Sequence, residues 1–96
     1  MISKTSYASV VLLMFLRNIG KSTNSIQQTV DFADMQLEKL GMKCSLSYTT
    51  KYRIIKEMQS VGLLDTVKKK IGEGITISNK VEKYFRGKDD GKEKSN

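Results

Sequence analysis

The stretch from Ser45 to Leu64, SLSYTTKYRIIKEMQSVGLL, constrains this chain more than any other part of it. Ile54, Ile55, Met58 and Val61 recur at helical spacing and mark one buried side. Ser47, Thr49, Tyr52, Arg53, Lys56 and Gln59 fall away from that side. A helix exterior that is merely solvated favours Glu and Lys, whereas this one is rich in hydroxyls and aromatic rings. Ser45 or Ser47 caps the start, and Gly62 closes the end. A hairpin follows at once. Leu63-Leu64 open a strand that runs to Lys69 or Lys70, and Ile75-Thr76-Ile77 alternates as a half-buried strand does. Between them Gly72-Glu73-Gly74 forms the tip, where glycine supplies the positive φ of a tight turn. A cationic helix backed by a cationic hairpin suits a duplex groove and its flanking phosphates.

Charge points the same way. The chain has 96 residues and a formal net charge of +7, and the excess is uneven. Between Met42 and Arg86 there are ten basic and four acidic side chains, so most of the charge sits on the helix-and-hairpin half. A clustered excess of this kind attracts polyanions. With no histidine, imidazole acid–base chemistry, His-based metal sites and Ser-His or Cys-His nucleophiles are excluded. The single cysteine, Cys44, cannot form an internal disulfide and reads as a small core residue. No phosphate-cradling glycine motif, metal-ligand cluster or plausible carboxylate pair is present, so neither an enzyme nor a cofactor is expected. The longest apolar run, Val10 to Leu16, is far shorter than the roughly 20 residues that span a bilayer. A cytoplasmic protein without membrane contact is the expectation.

Upstream, residues 6–19 read as a helix begun by Ser3 or Thr5 and stopped by Gly20. Its apolar residues occupy two faces, Tyr7, Val10, Val11 and Met14 on one, Ala8, Leu12, Phe15, Leu16 and Ile19 on the other. A small domain buries one stripe of a surface helix. The second stripe therefore predicts a homodimer interface drawn from Tyr7, Val11, Leu12, Met14, Phe15 and Leu16, the alternative being a central helix wrapped by the other elements. A second helical region starts at Thr23 or Asn24 and carries the stripe Ile26, Val30, Ala33, Leu37 and Leu40. Phe32 and Met35 fall off that stripe, and Asp34 can cap internally, so one helix or two short ones are both open. Gly41 closes the region, and Gly41 to Ser45 form the turn. After the hairpin, Ser78 or Asn79 caps a last helix, Lys80 to Phe85, that buries Val81 and either Tyr84 or Phe85. From Gly87 onward no apolar residue occurs, which predicts a disordered tail. The chain is thus mainly α with a small β-hairpin (α+β), one domain over 1–86 with a tail over 87–96.

The order Thr50, Arg53, Met58, Gly62-Leu63-Leu64, followed by Gly74 through Ile75-Thr76-Ile77-Ser78 to Lys80, resembles the winged helix-turn-helix of MarR, PadR and ArsR-type regulators. It is also similar to small archaeal and archaeal-virus or plasmid proteins of that build. The resemblance covers about residues 23–86 and implies a winged helix whose wing lies along the minor groove or phosphates. Position 51, usually apolar in the pattern, is Lys here, so Lys51 faces DNA or the helix is slightly rotated. The implied function is a sequence-specific, homodimeric double-stranded DNA-binding transcription regulator, with the helix over 47–61 in the major groove and the wing over 68–76. A partition-site binder and a protein-interaction module with an unidentified protein partner are the alternatives.

Side-chain chemistry assigns the contacts. Arg53 can meet guanine O6 and N7 together, and Thr49 and Tyr52 can touch thymine methyls or phosphates. With Ser47 at the helix start, these four are the expected base-reading residues. Lys43, Tyr48, Thr50, Lys51 and Lys56 suit backbone phosphates, as do Lys68, Lys69 and Lys70 on the wing. In a strand, Lys68 and Lys70 would share one face and Lys69 the other.

Overall fold

A computed structural model describes residues 3–85 of the chain. The order is α1 (Lys4–Arg17), α2 (Ile26–Lys39), α3 (Tyr48–Ser60), β1 (Leu64–Lys68) and β2 (Glu73–Ile77). Residues 79–85 are helical as well. This is a winged helix-turn-helix, mainly α with one antiparallel hairpin.

Each helix starts where a hydroxyl can satisfy its free amides. Ser3, Ser25 and Ser47 occupy extended backbone, and their side chains accept from the amides of Ser6, Gln28 and Thr50. Helix α2 therefore starts later than Thr23 or Asn24. Thr23 serves the hairpin instead. Its backbone exchanges hydrogen bonds of 2.8 and 3.0 Å with Ile75, adding an isolated bridge on the free edge of β2. Its hydroxyl lies 2.7 Å from that of Thr29, inside the protein. Helix α2 is continuous through Phe32. Asp34 does not cap it, because its carboxylate faces Tyr7 and Lys51 instead.

The core joins all elements: Tyr7, Val11, Met14 and Phe15 from α1, Val30, Ala33 and Leu37 from α2, Ile54, Ile55 and Met58 from α3, and Leu64, Ile75 and Ile77 from the hairpin. Helix α1 is thus the central helix wrapped by the others. Tyr7 and Val11 have no surface left to offer a partner and Phe15 next to none, Met14 keeps a sliver, and Leu12 and Leu16 are half-buried against the same core. The expected interface is corrected to that extent: Tyr7, Val11 and Phe15 belong to the core and not to a dimer face. Two stripe-end residues, Leu40 and Val61, are exposed because each lies at its helix's C-terminal cap, beyond the packed turns.

The hairpin's register moves its tip. Lys68 pairs with Glu73 and Val67 with Gly74, so Glu73 and Gly74 belong to β2 and residues 69–72 make the connection. Gly72, at φ 74°, supplies the left-handed turn conformation. Gly74 is required for a different reason: a Cβ there would collide with the Thr23 carbonyl oxygen and the Lys69 side chain. Ser78 caps the C-terminal helix by accepting from Val81. Val81 is half-buried, whereas Tyr84 and Phe85 are both exposed and stack edge to face on one another. The expected tail over 87–96 lies outside the described residues.

Candidate nucleic-acid interface

Helix α3 has 13 residues, about 20 Å at 1.5 Å per residue, enough to lie along a groove. Its inner side is set by Ile54, Ile55 and Met58. Positions 49, 52, 53 and 56 are three and four apart and so share the opposite face. Thr49, Tyr52, Arg53 and Lys56 are all exposed there, with Ser47 exposed at the start. Four of the expected DNA-contact residues beyond these, Lys43, Tyr48, Lys68 and Lys70, are exposed as well, and Thr50 is half-buried. Thr50 also accepts a hydrogen bond from the Ser47 hydroxyl at 3.1 Å, so its oxygen is engaged in the cap.

Lys51 is turned inward, contrary to expectation. Its ammonium lies 3.1 Å from Asp34 Oδ2 and 5.7 Å from the centre of the Tyr7 ring, with 12% of the side chain exposed. The lysine occupies a position where an apolar residue would do, and the carboxylate of α2 makes that tolerable. The Tyr7 hydroxyl donates to Asp34 Oδ1 at 3.3 Å. Burial first, and then the charge and hydrogen bond of Asp34, push the Tyr7 phenol well above its ordinary value of 10.0. The cluster ties α1, α2 and α3 together and fixes the rotation of α3 about its axis. Arg53, two positions on, lies on the other, exposed side of the helix.

A groove of about 500 Å³ runs between α3 and the hairpin, with the α2 N-terminus at its end. Tyr48, Tyr52 and Lys56 line one wall, and Thr66, Glu73 and Gly74 the other. The Tyr48 and Tyr52 rings are 6.2 Å apart, two aromatic faces side by side at the groove. Gln59 donates to the Thr66 hydroxyl at 3.2 Å, bracing α3 against β1. On the hairpin, Lys69 is half-buried and its ammonium donates to Asn24 Oδ1 at 2.9 Å, which leaves it a brace more than a free charge. Lys70 lies past the end of β1, so the strand alternation expected for Lys68 to Lys70 does not apply. Among the described residues, Arg53, Lys56, Lys68 and Lys70 have no acidic side chain within salt-bridge distance. Of these, Lys56 lines the groove, across which stands Glu73 of the hairpin.

Sequence reasoning missed two exposed apolar features. Ile71, at the hairpin connection, is 92% exposed. Leu13 and Leu40 are 57% and 63% exposed, and with Val10, Met14, Arg17 and Gln36 they border a shallow trough between α1 and α2. The α1 pattern carried a signal for the second feature, since Leu13 lies on neither stripe.

No known protein family matches the sequence, and no characterised protein matches it either. Among solved structures, the chain is similar to the ferric uptake regulator from Francisella tularensis, solved with iron, at a TM-score of 0.56 and 16% identity. The likeness covers 82% of this chain and 54% of that one, so this chain spans about half the length of the regulator. It is a likeness of fold. The described residues contain no group of three or more His, Cys, Asp or Glu side chains that could hold a metal ion. No helix among them is long and apolar enough to cross a membrane.

Proposed function

We propose that this protein is a non-enzymatic, double-stranded DNA-binding transcription regulator. The observation that carries the reading is the exposed, cationic and hydroxylated face of α3, opposite the buried Ile54, Ile55 and Met58 and bordering a groove toward a hairpin that carries exposed Lys68 and Lys70. Helix α3 enters the major groove with Ser47, Thr49, Tyr52 and Arg53 against base edges. Lys43, Tyr48, Lys56, Lys68 and Lys70 hold phosphates on either side, with Thr50 and Lys69 supporting them as parts of the cap and the brace. The similarity in fold to a regulator supports the same role.

The regulator acts as a homodimer in this reading. The occupant of the trough between α1 and α2 is a second copy of the chain, with Leu13 and Leu40 as its apolar centre. Bare apolar patches on the scale of roughly a few hundred Å² on a monomer are often functional. None of the trough residues belongs to the α3 face, so pairing there leaves two copies of α3 free to meet successive major grooves.

Selection from a random-sequence duplex pool at about 150 mM salt, with wild type and Arg53→Ala in parallel, tests both parts. The expected result is an enriched palindrome with half-sites about 10 base pairs apart, lost in the variant. A pool that stays unselected and indifferent to Arg53 overturns the reading. An enriched single half-site overturns the dimer alone.

A further inference from the structure

The hairpin ends in an apolar side chain that the fold does not use. Ile71, at 92% exposure, is the barest of the large hydrophobic residues described. It stands in the 69–72 connection, just past the Lys68–Glu73 rung. Turn connections favour Gly, Asn and Asp, and a β-branched residue gains nothing there from packing. An exposed apolar residue at a hairpin end also invites unwanted association.

The connection is nevertheless braced. The Lys69 amide donates to the Gly72 carbonyl at 3.2 Å, and the Lys69 ammonium is anchored on Asn24. At the root, the paired hydrogen bonds between Thr23 and Ile75 tie the hairpin to the segment before α2. Ile71 is therefore carried on a supported arm. Lys68 and Lys70 are exposed close by in sequence, and among the described residues neither has an acidic side chain within salt-bridge distance. Glu73 lies down in the strand, opposite Lys68, and leaves the apex apolar. An apolar point close to ammonium groups complements a surface of phosphates around a stacked, apolar interior. The minor groove of a duplex has that chemistry.

We infer that Ile71 is a wedge: with α3 in the adjacent major groove, it enters the minor groove and partly unstacks one base step, bending the duplex. Lys68 and Lys70 hold the phosphates on either side of that step. The inference rests on the DNA-binding reading above and adds a residue and a deformation to it. Apolar side chains inserted in this way kink a duplex toward the major groove. Pyrimidine–purine steps open most easily, so a TA or CA step is preferred beneath the hairpin without any hydrogen bond to its bases.

The test uses a selected duplex of about 30 base pairs, labelled at both ends for energy transfer and carrying 2-aminopurine at the step under the hairpin. Wild type is expected to bring the ends closer and to raise the 2-aminopurine fluorescence. Ile71→Ala should lose both signals while keeping affinity within about tenfold. Ile71→Met should keep both, and Lys70→Ala should weaken binding and its salt dependence while the bend remains. An Ile71→Ala complex that bends and unstacks as wild type does overturns the wedge, as does a straight wild-type complex. A wild type that binds no duplex at all at physiological salt overturns the DNA reading together with the wedge, which separates the two failures.

Discussion

Removing the Asp34 carboxylate is the sharpest perturbation of the frame that aims α3. In Asp34→Ala, Lys51, whose side chain is 12% exposed, loses the carboxylate that lies 3.1 Å from its nitrogen. The Tyr7 hydroxyl also loses its acceptor. Breaking a fully buried pair costs about 3–5 kcal/mol, and breaking an exposed one costs about 0–1. Asp34 is 40% exposed, so water reaches one side of the pair and the cost falls between these limits, at about 2 kcal/mol. For a domain of this size that lowers Tm by about 10 °C. Urea and thermal unfolding followed by circular dichroism measure both quantities. Asp34→Asn, which keeps an acceptor for Tyr7 and loses the charge, should fall about halfway. The double variant Asp34→Ala with Lys51→Met should recover most of the loss, because the site then becomes apolar throughout. A loss below about 0.5 kcal/mol in Asp34→Ala, or no recovery in the double variant, refutes the claim that this cluster fixes α3.

Alkaline pH should unfold the protein through Tyr7, whose folded-state value is raised by burial and Asp34 above the ordinary 10.0. The stabilisation is complete below pH about 10, and above it the unfolded chain releases a proton that the folded chain keeps, so stability falls by up to about 1.4 kcal/mol per pH unit. Tyr7→Phe should flatten that slope in urea melts between pH 9 and 11. Gly74→Ala should cost about 2 kcal/mol and expose the Thr23 and Ile75 amides to hydrogen exchange, since the new methyl meets the Thr23 carbonyl. An unchanged exchange pattern there would mean the Thr23 rung does not brace the hairpin. Leu13→Glu should convert a dimer into a folded monomer by sedimentation, weakening DNA binding without altering the α3 contacts. A dimer that survives Leu13→Glu moves the interface elsewhere, and a wild type already monomeric in sedimentation points the trough toward a different protein.

Local signals in the sequence reached most of the fold. Periodicity placed Ile54, Ile55 and Met58 inward, and the hydroxyl rule found Ser3 and Ser47 among the caps. What escaped was set by partners distant in the chain. Thr23 looks like a cap until Ile75 claims its backbone. Lys51 looks like a phosphate contact until Asp34, 17 residues earlier, claims its ammonium. The hairpin tip was displaced because two glycines flank Glu73 for different reasons. Gly72 serves the turn, whereas Gly74 makes room for Thr23. Helix α1 has more apolar surface than one face needs, and only the packing of α2, α3 and the hairpin around it shows that Tyr7, Val11, Met14 and Phe15 are core. On the candidate site, exposure of Thr49, Tyr52, Arg53 and Lys56 follows from spacing alone. Ile71 escaped because a lone apolar residue in a polar turn carries no periodic signal.

The central claim is that the outer face of α3 and the hairpin, and not the trough between α1 and α2, meets duplex DNA. Backbone amide chemical shifts, recorded while a duplex of about 20 base pairs is titrated in, test it most directly. The largest changes are expected at residues 47–56 and 68–73, with Lys51 itself retaining its Asp34 contact and residues 10–17 and 36–40 nearly still. Changes concentrated on Leu13, Gln36 and Leu40, with Tyr52 and Arg53 unmoved, would contradict it.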